Sequence, residues 1–348
     1  SLVVSIANKR KCPFLLYAKV SADTLATLAA ACKGCFFCRD CVQNPLEKRL
    51  GKLTVKLSDD SEKQNIWHKP GIFGYYTGNM KTGWNSMNSI GQFVVFGYCL
   101  HSPEERMRAL KDAGFDEVML WWGEEHRDTH GGPREQWEMG RRNGLSVRTV
   151  HYPFALTNAL WLDNQDGRDY MKGLSAGLAL AGELGVAHMV IHSNKGKQPP
   201  EPSALGLKRM QHLVEAAERQ QVVVALENTR FLHHQQYLYD NIPSPYLGFC
   251  FDSGHANCFT PGEDPLALFF DRLVTTHISD NIGPAGGDLH LRPGLGSIDF
   301  SRLLPRILKK PGVSLILESA YSQRDADLGL DLAAYLRASR AGIAQHLT

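Results

Sequence analysis

The chain has 348 residues, of which 43% are hydrophobic and 21% charged, and its formal net charge is +2. These proportions are ordinary for a globular protein and exclude a collagen-like fibre, a chain disordered throughout and a small disulfide-stapled domain. No uncharged apolar run is long enough to span a membrane and no clean signal-peptide pattern is present, so we expect a cytoplasmic protein without membrane association.

The first 92 residues show no clear periodicity and are basic, with 13 Lys and Arg against six Asp and Glu. They also contain four cysteines spaced three residues apart, namely Cys32, Cys35, Cys38 and Cys41. Four thiols in so short a segment predict either a zinc or iron–sulfur site or a helix with thiols on one face. We therefore assign residues 1–92 to a cysteine-rich amino-terminal extension or small module, and leave open whether it folds independently.

From residue 93 to residue 348, short β-branched or aromatic runs alternate with segments of helical pattern. Eight runs predict strands, at residues 93–98, 117–122, 146–151, 188–192, 222–227, 247–252, 274–279 and 313–318. Alternating strands and helices indicate an α/β protein with a parallel sheet, and eight such units are typical of a (β/α)₈ TIM barrel. An open doubly wound sheet is disfavoured because no Gly-x-Gly-x-x-Gly segment follows the first strand.

Polar residues end the third to eighth predicted strands, and in a barrel of this kind those ends share one mouth. They are His151, His192, Glu227, Asp252, His277 and Glu318, and the following loops add His255, Asp288 and His290. Carboxylates and imidazoles beside apolar strands are costly to bury unless they are paired or bound to metal. The set therefore predicts a divalent metal site, and its mixed oxygen and nitrogen ligands suit Mn²⁺, Co²⁺, Mg²⁺ or Zn²⁺.

Each of these residues, taken singly, also has an ordinary structural explanation. A histidine at a strand end usually serves as a hydrogen-bonding residue, and an aspartate such as Asp252 can cap the helix that follows it. Asp288 and His290 can shape a glycine-rich turn. Glu227 and Glu318 are harder to explain in this way because each directly ends an apolar run. The prediction of a site therefore depends on the set rather than on one member.

The segments around these residues resemble those of the xylose isomerase-like barrel superfamily, which contains sugar isomerases and epimerases and the endonuclease IV type of enzyme for abasic DNA. The segments are ALENT with Glu227, CFDSGHAN with Asp252 and His255, THISDN with His277, DLHLRPGLGSIDF with Asp288 and His290, and LILES with Glu318. The resemblance covers residues 93–346 and is specific as a set, whereas any one segment is a weak signal.

In the epimerases of that superfamily, one divalent ion is held by a Glu, an Asp, a His and a Glu, which the segments match to Glu227, Asp252, His277 and Glu318. The resemblance implies that the two glutamates are also the catalytic pair. One removes the proton next to a carbonyl through a metal-stabilised enediolate, and the other returns it. A carboxylate in a dry pocket is expected to have a raised pKa, which suits a general base.

Substrate contacts are expected from residues near the same strand ends. The resemblance implies that His255 contacts a substrate hydroxyl and that Arg292 holds a hydroxyl or a phosphate. Further candidates are Trp122, which ends the second strand, and Tyr152 and Asn194, which follow the third and fourth. For the aromatic residues, packing in the core is the alternative explanation.

In the endonuclease branch nine ligands hold three zinc ions, and this chain offers all nine residue types. Hydrolysis of a phosphodiester is therefore the alternative activity. We favour proton transfer on a sugar because the chain after residue 92 has a net charge of −5, opposite to a nucleic-acid-binding surface. The 25-residue spacings from Glu227 to Asp252 and from Asp252 to His277 also leave little room for DNA-gripping loops.

The sequence thus predicts a metal-dependent isomerase or epimerase that acts on a sugar, sugar acid or sugar phosphate. A small carbohydrate rather than nucleic acid is the expected partner, and a homodimer is left open. A barrel that binds metal and sugar without turnover is the third hypothesis, because a fold does not by itself imply activity.

Overall fold

The computed structural model describes residues 2–3, 19–20, 89–96 and 101–347. Near the amino terminus, the short strands Leu2–Val3 and Lys19–Val20 pair antiparallel. The four cysteines predicted to form a second metal site lie outside the described residues, as does nearly all of the predicted extension. Among the helices within the described ranges, none is long and apolar enough to cross a membrane.

Eight parallel strands close into a barrel in which each strand pairs with its neighbours in chain order, and the last pairs with the first. They are β1 (Ile90–Phe93), β2 (Glu117–Trp121), β3 (Thr149–His151), β4 (His188–His192), β5 (Val223–Glu227), β6 (Leu247–Asp252), β7 (Leu273–Ile278) and β8 (Ser314–Leu317). The predicted (β/α)₈ barrel is confirmed.

Helices connect successive strands, as the alternating pattern predicts. They are α1 (Pro103–Asp112), α2 (Arg127–His130), α3 (Pro133–Arg142), α4 (Gln165–Glu183), α5 (Ala204–Gln220), α6 (Leu232–Asn241), α7 (Ser253–Cys258), α8 (Pro265–Leu268), α9 (Phe300–Ile307), α10 (Gln323–Asp327) and α11 (Leu332–Ala344). Short 3₁₀ helices occupy Thr157–Trp161 and Phe270–Arg272. The start of α1 follows its sequence signal, since Ser102 and Glu105 form a reciprocal capping box.

The first strand differs most from its prediction, since it occupies Ile90–Phe93 rather than residues 93–98. Val94 and Phe96 are fully buried beyond the end of the strand, so the apolar run that predicted a strand fills the core as a loop. Gly91 allows the earlier strand because a Cβ atom there would lie 2.6 Å from Ile316 Cδ1. The barrel consequently begins before the predicted boundary at residue 93.

A small apolar layer lies inside the barrel directly beneath the polar strand ends. Val190, Ala225 and Cys250 pack together there, each two residues before a polar strand end and fully buried. Because alternate residues of a strand share a face, the polar residues that follow point to the same interior. This layer supports the mouth of the barrel with side chains that exclude water.

A buried carboxylate occupies the opposite, amino-terminal end of the barrel. Glu117 is fully buried at the start of β2, and its Oε2 accepts hydrogen bonds from Ser89 Oγ at 2.6 Å and Ser314 Oγ at 3.0 Å. Burial raises the pKa of Glu117, and the nearby Arg148 only partly opposes this. The native state therefore retains the Glu117 proton to a higher pH than the unfolded chain does.

We expect Glu117→Gln to remove a pH dependence of the free energy of unfolding. Above the unfolded pKa of 4.5, the unfolded chain releases this proton first, so stability falls with rising pH until the native carboxyl ionises. The slope over that interval is about 1.4 kcal/mol per pH unit. Urea denaturation between pH 5 and pH 8 should show the wild type losing stability relative to Glu117→Gln. Parallel curves for the two proteins would contradict this assignment.

Candidate metal centre

The carboxyl ends of six neighbouring strands bring their polar residues to one place. His151, His192, Glu227 and Asp252 end β3 to β6, His277 is the penultimate residue of β7, and Glu318 follows β8. All are buried except Glu318, whose side chain is 14% exposed. The fold therefore places ionisable groups from six strands in one water-poor mouth.

Glu227 lies at the centre of this group, in contact with four imidazoles. Its Oε2 atom is 3.2 Å from His151 Nε2, 3.1 Å from His192 Nε2 and 3.0 Å from His277 Nδ1. Its Oε1 atom is 2.9 Å from His255 Nδ1. Burial alone would raise the pKa of Glu227, but the histidines outweigh burial and hold the pKa well below its usual range.

Four side chains place one ligand atom each in a compact group. Those atoms of Glu227, Asp252, His277 and Glu318 all lie within 4.8 Å of one another. His277 Nδ1 is 2.9 Å from Glu318 Oε2 and 3.8 Å from Asp252 Oδ2. Neighbouring ligands of an ion with metal–ligand distances near 2.1 Å lie roughly 3 Å apart, so the spacing is typical of a divalent metal site.

Polar atoms without hydrogen-bond partners provide a test of whether these residues fit a cation. Within the described chain, His277 Nδ1 and Asp252 Oδ2 are buried and accept or donate no hydrogen bond. The carboxylate oxygens near His277 Nδ1 are close but are not aligned for hydrogen bonding. Burial and neighbouring carboxylates raise the pKa of Asp252 to about 7, although the charge of His255 acts to lower it. A divalent cation would satisfy both atoms and relieve that repulsion.

A second cluster adjoins the first on the loop that follows β7. Asp288 Oδ2 is 3.2 Å from His255 Nε2 and 3.0 Å from His290 Nε2, and Asp288 Oδ1 is another buried atom without a hydrogen bond in the described structure. Burial would lower the pKa of His290, but Asp288 outweighs burial and raises the pKa to about 10. The structure thus brings together all nine residues that the sequence nominated as ligands.

Three of these histidines are anchored in the same way. Nδ1 of His151 donates to the Tyr152 carbonyl at 2.9 Å, and Nδ1 of His290 donates to the Glu318 carbonyl at 2.8 Å. His255 Nδ1 lies 2.9 Å from the Asn228 carbonyl. A neutral ring held in this way turns the lone pair of Nε2 toward a carboxylate, which is unfavourable without a proton or a cation between them. This orientation is typical of metal-binding histidines.

The expectation that the two glutamates have raised pKa values is wrong. The pKa of Glu318, like that of Glu227, is lowered, because His277 outweighs the effect of burial. Asp252 has the raised pKa instead. The expectation was based on burial alone, whereas the imidazoles that surround each carboxylate have the larger effect on its pKa. Both glutamates are consequently ionised at neutral pH, as a base or a metal ligand must be.

Two of the residues predicted to bind substrate pack against the helical layer instead of facing the metal centre. Trp122 is buried, and its Nε1 donates to the Gly177 carbonyl of α4 at 2.8 Å. Tyr152 packs its ring edge-on against Tyr170 of the same helix. The alternative explanation, core packing, therefore describes both aromatic side chains.

The other two predicted substrate-binding residues form internal contacts. The buried Asn194 side chain donates to the Phe231 carbonyl at 3.0 Å. Arg292 Nε donates to the buried carboxylate of Asp325 at 2.6 Å. The structure thus places both side chains in contacts that hold neighbouring loops together.

Trp121, the other of the two tryptophans at the end of the second predicted strand, faces the centre. Its ring stacks on His151 at 5.6 Å with an interplanar angle of 10°, and its buried Nε1 donates no hydrogen bond to the described residues. The register of β2 against β3 determines this, because Trp121 pairs with His151 across the two strands and so shares its face of the sheet. Trp122 must then face outward.

One buried aspartate organises the loop that carries Asp288 and His290. The Asp280 carboxylate accepts hydrogen bonds from the backbone N–H groups of Asn281, Gly294, Gly296 and Ile298, at 2.8–3.1 Å. The backbone of Asp280 also pairs with Leu291. A carboxylate that accepts four backbone donors fixes the path of the loop between β7 and α9.

We expect Asp280→Asn to lower the free energy of unfolding by about 2 kcal/mol, because a charged acceptor of four backbone donors is lost. Gly296→Ala should act in the same direction, since its Cβ would lie 2.2 Å from Asp280 Oδ1 and 2.3 Å from the Asn281 carbonyl oxygen. Gly262→Ala is the control because nothing lies within 4 Å of a Cβ there. Urea denaturation that ranks all three variants equal would contradict the role of Asp280.

Comparisons with known proteins agree with this architecture. Residues 107–340 match the family model described as xylose isomerase-like TIM barrel. An L-ribulose 3-epimerase structure has a TM-score of 0.58 at 16% identity, covering 75% of this chain and 96% of its own. The 3-keto-D-glucoside 4-epimerase of E. coli has a TM-score of 0.57 at 19% identity, covering 74% and 100%. A D-tagatose 3-epimerase-like protein has a TM-score of 0.56 at 22% identity, covering 75% and 100%.

One curated relative matches part of the sequence. The uncharacterised protein y4fM of Sinorhizobium fredii is 32% identical over 115 residues. The match spans 30% of this chain and 36% of that protein. The similarity therefore covers only about a third of the relative's length and assigns no activity.

Proposed function

The chain belongs to the xylose isomerase-like TIM barrel family, and on that premise we propose that it is a divalent-metal-dependent isomerase or epimerase of a sugar, sugar acid or sugar phosphate. The observation that carries the proposal is the group of four ligand atoms from Glu227, Asp252, His277 and Glu318, two of which are glutamate oxygens. The sugar epimerases among the structures of the same fold support it.

Glu227, Asp252, His277 and Glu318 would hold the ion. When bound there, a divalent ion supplies Lewis acidity that polarises a carbonyl and offsets the negative charge developed on its oxygen. The apolar layer of Val190, Ala225 and Cys250 beneath the site limits water and so strengthens the local electrostatics.

The two glutamates transfer the proton. The bond that breaks is the C–H bond next to the substrate carbonyl, and a carboxylate oxygen takes the proton. In an epimerisation the other glutamate, after taking up a proton from solvent, gives it to the same carbon from the opposite face, and the first glutamate then releases its proton to solvent. In an isomerisation the proton goes instead to the neighbouring carbon, while a hydroxyl proton moves between the two oxygens. The Glu318 side chain is 14% exposed and Glu227 is 1% exposed, so Glu318 is the more accessible of the two to a sugar entering through the mouth.

Trp121 would provide the wall of the sugar pocket. Its ring, stacked on His151, offers an apolar surface of the kind that packs against the face of a sugar. Its Nε1, which makes no hydrogen bond within the described structure, provides a donor for a substrate hydroxyl.

Hydrogen exchange with solvent tests this function on many candidate sugars in parallel. The manganese-loaded protein is incubated in D₂O with a panel of ketoses, aldoses, uronic acids and their phosphates, and the sugars are analysed by NMR. The proposal predicts deuterium at the carbon next to the carbonyl of at least one sugar, with formation of its isomer. Absence of both exchange and isomer formation throughout the panel would overturn it.

Hydrolysis of a phosphodiester is the second candidate function, and a specific observation favours it. All nine candidate ligands lie in one contiguous cluster, in which His255, Asp288 and His290 form a group beside the first. Two adjoining groups of this kind suit several adjacent ions that activate water and stabilise a leaving oxygen.

The two functions are separated with an oligonucleotide duplex that contains one abasic site. Zinc-dependent nicking that disappears in both Asp288→Ala and His151→Ala would support hydrolysis. Nicking that persists in both variants, or none by the wild type, would remove it.

A further inference from the structure

Two aromatic stacks at the mouth each place a cation above one of the candidate metal ligands. In the first, Phe154 lies parallel to His192, with ring centroids 4.6 Å apart and an interplanar angle of 6°. The ammonium nitrogen of Lys195 lies 4.9 Å from the centroid of the same phenyl ring. One aromatic ring thus separates a positive charge from the centre.

The second stack repeats this arrangement on the next strands. Phe259 stacks on His255, with ring centroids 4.8 Å apart and an interplanar angle of 26°. The guanidinium carbon of Arg230 lies 3.9 Å from the centroid of Phe259. Because an uncharged ring orients the cation without neutralising it, the charge remains available to a ligand.

Neither cation has an anionic partner in the part of the chain that the structure describes. Lys195 is exposed and Arg230 is half-buried, and neither side chain forms an ion pair or hydrogen bond among those residues. The backbone of Lys195 is nevertheless fixed, since Asn158 both accepts from its N–H and donates to its carbonyl, each at 2.9 Å. Arg292 differs from both, because its guanidinium is paired with Asp325.

Both stacks belong to the same part of the rim. Phe154, Lys195 and Arg230 lie in the loops that directly follow β3, β4 and β5, and Phe259 follows α7 after β6. The two cations therefore border the arc of the mouth formed by four consecutive strands. A sugar whose carbonyl lies at the metal centre would extend its far end toward this rim.

We propose that Lys195 and Arg230 form an anion site for the phosphate group of a phosphorylated monosaccharide. The inference rests on the proposed function and narrows its substrate class from sugars in general to sugar phosphates. A phosphate dianion matches two positive charges, and its oxygens accept charge-assisted hydrogen bonds from both an ammonium and a guanidinium. Because the carboxylates of the metal centre repel a phosphate dianion, the phosphate group is expected at the rim rather than in the interior.

The test measures binding rather than turnover. Isothermal titration calorimetry of the manganese-loaded full chain compares the 6-phosphates of D-fructose and D-tagatose and the 5-phosphates of D-ribulose and D-xylulose with their unphosphorylated sugars. The variants are Lys195→Met, Arg230→Met and the double variant, which keep the aliphatic contact with the phenyl ring. Lys172→Met, on the exposed outer face of α4, is the control.

At least one phosphorylated sugar should bind ten-fold or more tightly than its neutral counterpart. Each single substitution should weaken that binding about ten-fold, because one charge-assisted contact is lost. The double variant should bind both forms equally, and Lys172→Met should match the wild type.

Equal binding of phosphorylated and neutral sugars by the wild type would overturn the anion site, as would phosphate binding that survives in the double variant. No binding of any sugar phosphate would overturn it too. Binding that depends on both residues, without deuterium exchange on any sugar, would support the anion site while refuting the isomerase. If both substitutions weaken binding of abasic duplex DNA and leave binding of every sugar phosphate unchanged, the cations contact a nucleic acid backbone and the proposal is overturned.

Discussion

Glu318→Gln is expected to reduce kcat by about 10²–10⁴-fold while most of the bound metal is retained. The amide keeps an oxygen that can remain beside His277 Nδ1, which lies 2.9 Å from the wild-type carboxylate. It lacks the negative charge needed to accept a proton from carbon. Because Glu318 is partly exposed, the substitution leaves the buried core unchanged, and the protein should stay folded.

Glu227→Gln should have the same effect on turnover but should also lose the metal. The Glu227 carboxylate lies within 3.2 Å of four imidazoles, so a neutral amide removes the charge around which the centre is built. Metal analysis and steady-state kinetics of both variants distinguish these outcomes. Full activity in both variants would refute the two-glutamate mechanism.

Removal of the metal is the second change with a large expected effect. Chelation should abolish activity and lower the melting temperature, because the buried carboxylates then repel each other without a compensating cation. At a metal concentration 100 times the Kd, binding contributes about 2.7 kcal/mol to stability. For a domain of this size that corresponds to a shift in Tm of roughly 5–10 °C.

The control for this experiment is Glu227→Gln treated with the same chelator. Because this variant should already lack the ion, its Tm should not shift further. Differential scanning calorimetry with and without chelator measures both shifts. A wild-type protein whose Tm and activity are unaffected by complete metal removal, verified by elemental analysis, would exclude a resident divalent ion.

The sequence predicted the barrel well because its signals are local and repeated. Apolar runs of strand length alternate with helical patterns, and two of the eight strands, His188–His192 and Leu247–Asp252, have the predicted bounds. The nine candidate ligands could also be nominated, since parallel strands in one barrel end at one mouth whatever their separation in sequence. Neither prediction required the long-range contacts of the folded chain.

The errors arise where the direction of a side chain or its surroundings matters. Trp121 and Trp122 are adjacent and chemically alike, and only the register of β2 against β3 shows which one faces the centre. Arg292 could be recognised as a cation near the mouth, but its partner Asp325 is 33 residues away. The lowered pKa of Glu227 depends on the imidazoles of His277, His192 and His151, which come from three other segments of the chain.

The surroundings of Lys195 and Arg230, the two cations of the rim, could not be predicted from the sequence either. Lys195 follows the fourth predicted strand, but nothing in the local sequence distinguishes it from an ordinary solvated lysine. Its stacking on Phe154, which lies in the loop after the preceding strand, is a tertiary contact that no local pattern encodes. The same holds for Arg230 and Phe259. The substrate class is therefore argued from the structure rather than from the sequence.

Elemental analysis of the purified protein, prepared without added metal or chelator, tests the central claim most directly. The proposed isomerase predicts about one tightly bound divalent ion per chain, held by Glu227, Asp252, His277 and Glu318 and absent from Glu227→Gln. About three zinc ions per chain would contradict a single-ion isomerase and favour hydrolysis of a phosphodiester at the nine-residue cluster.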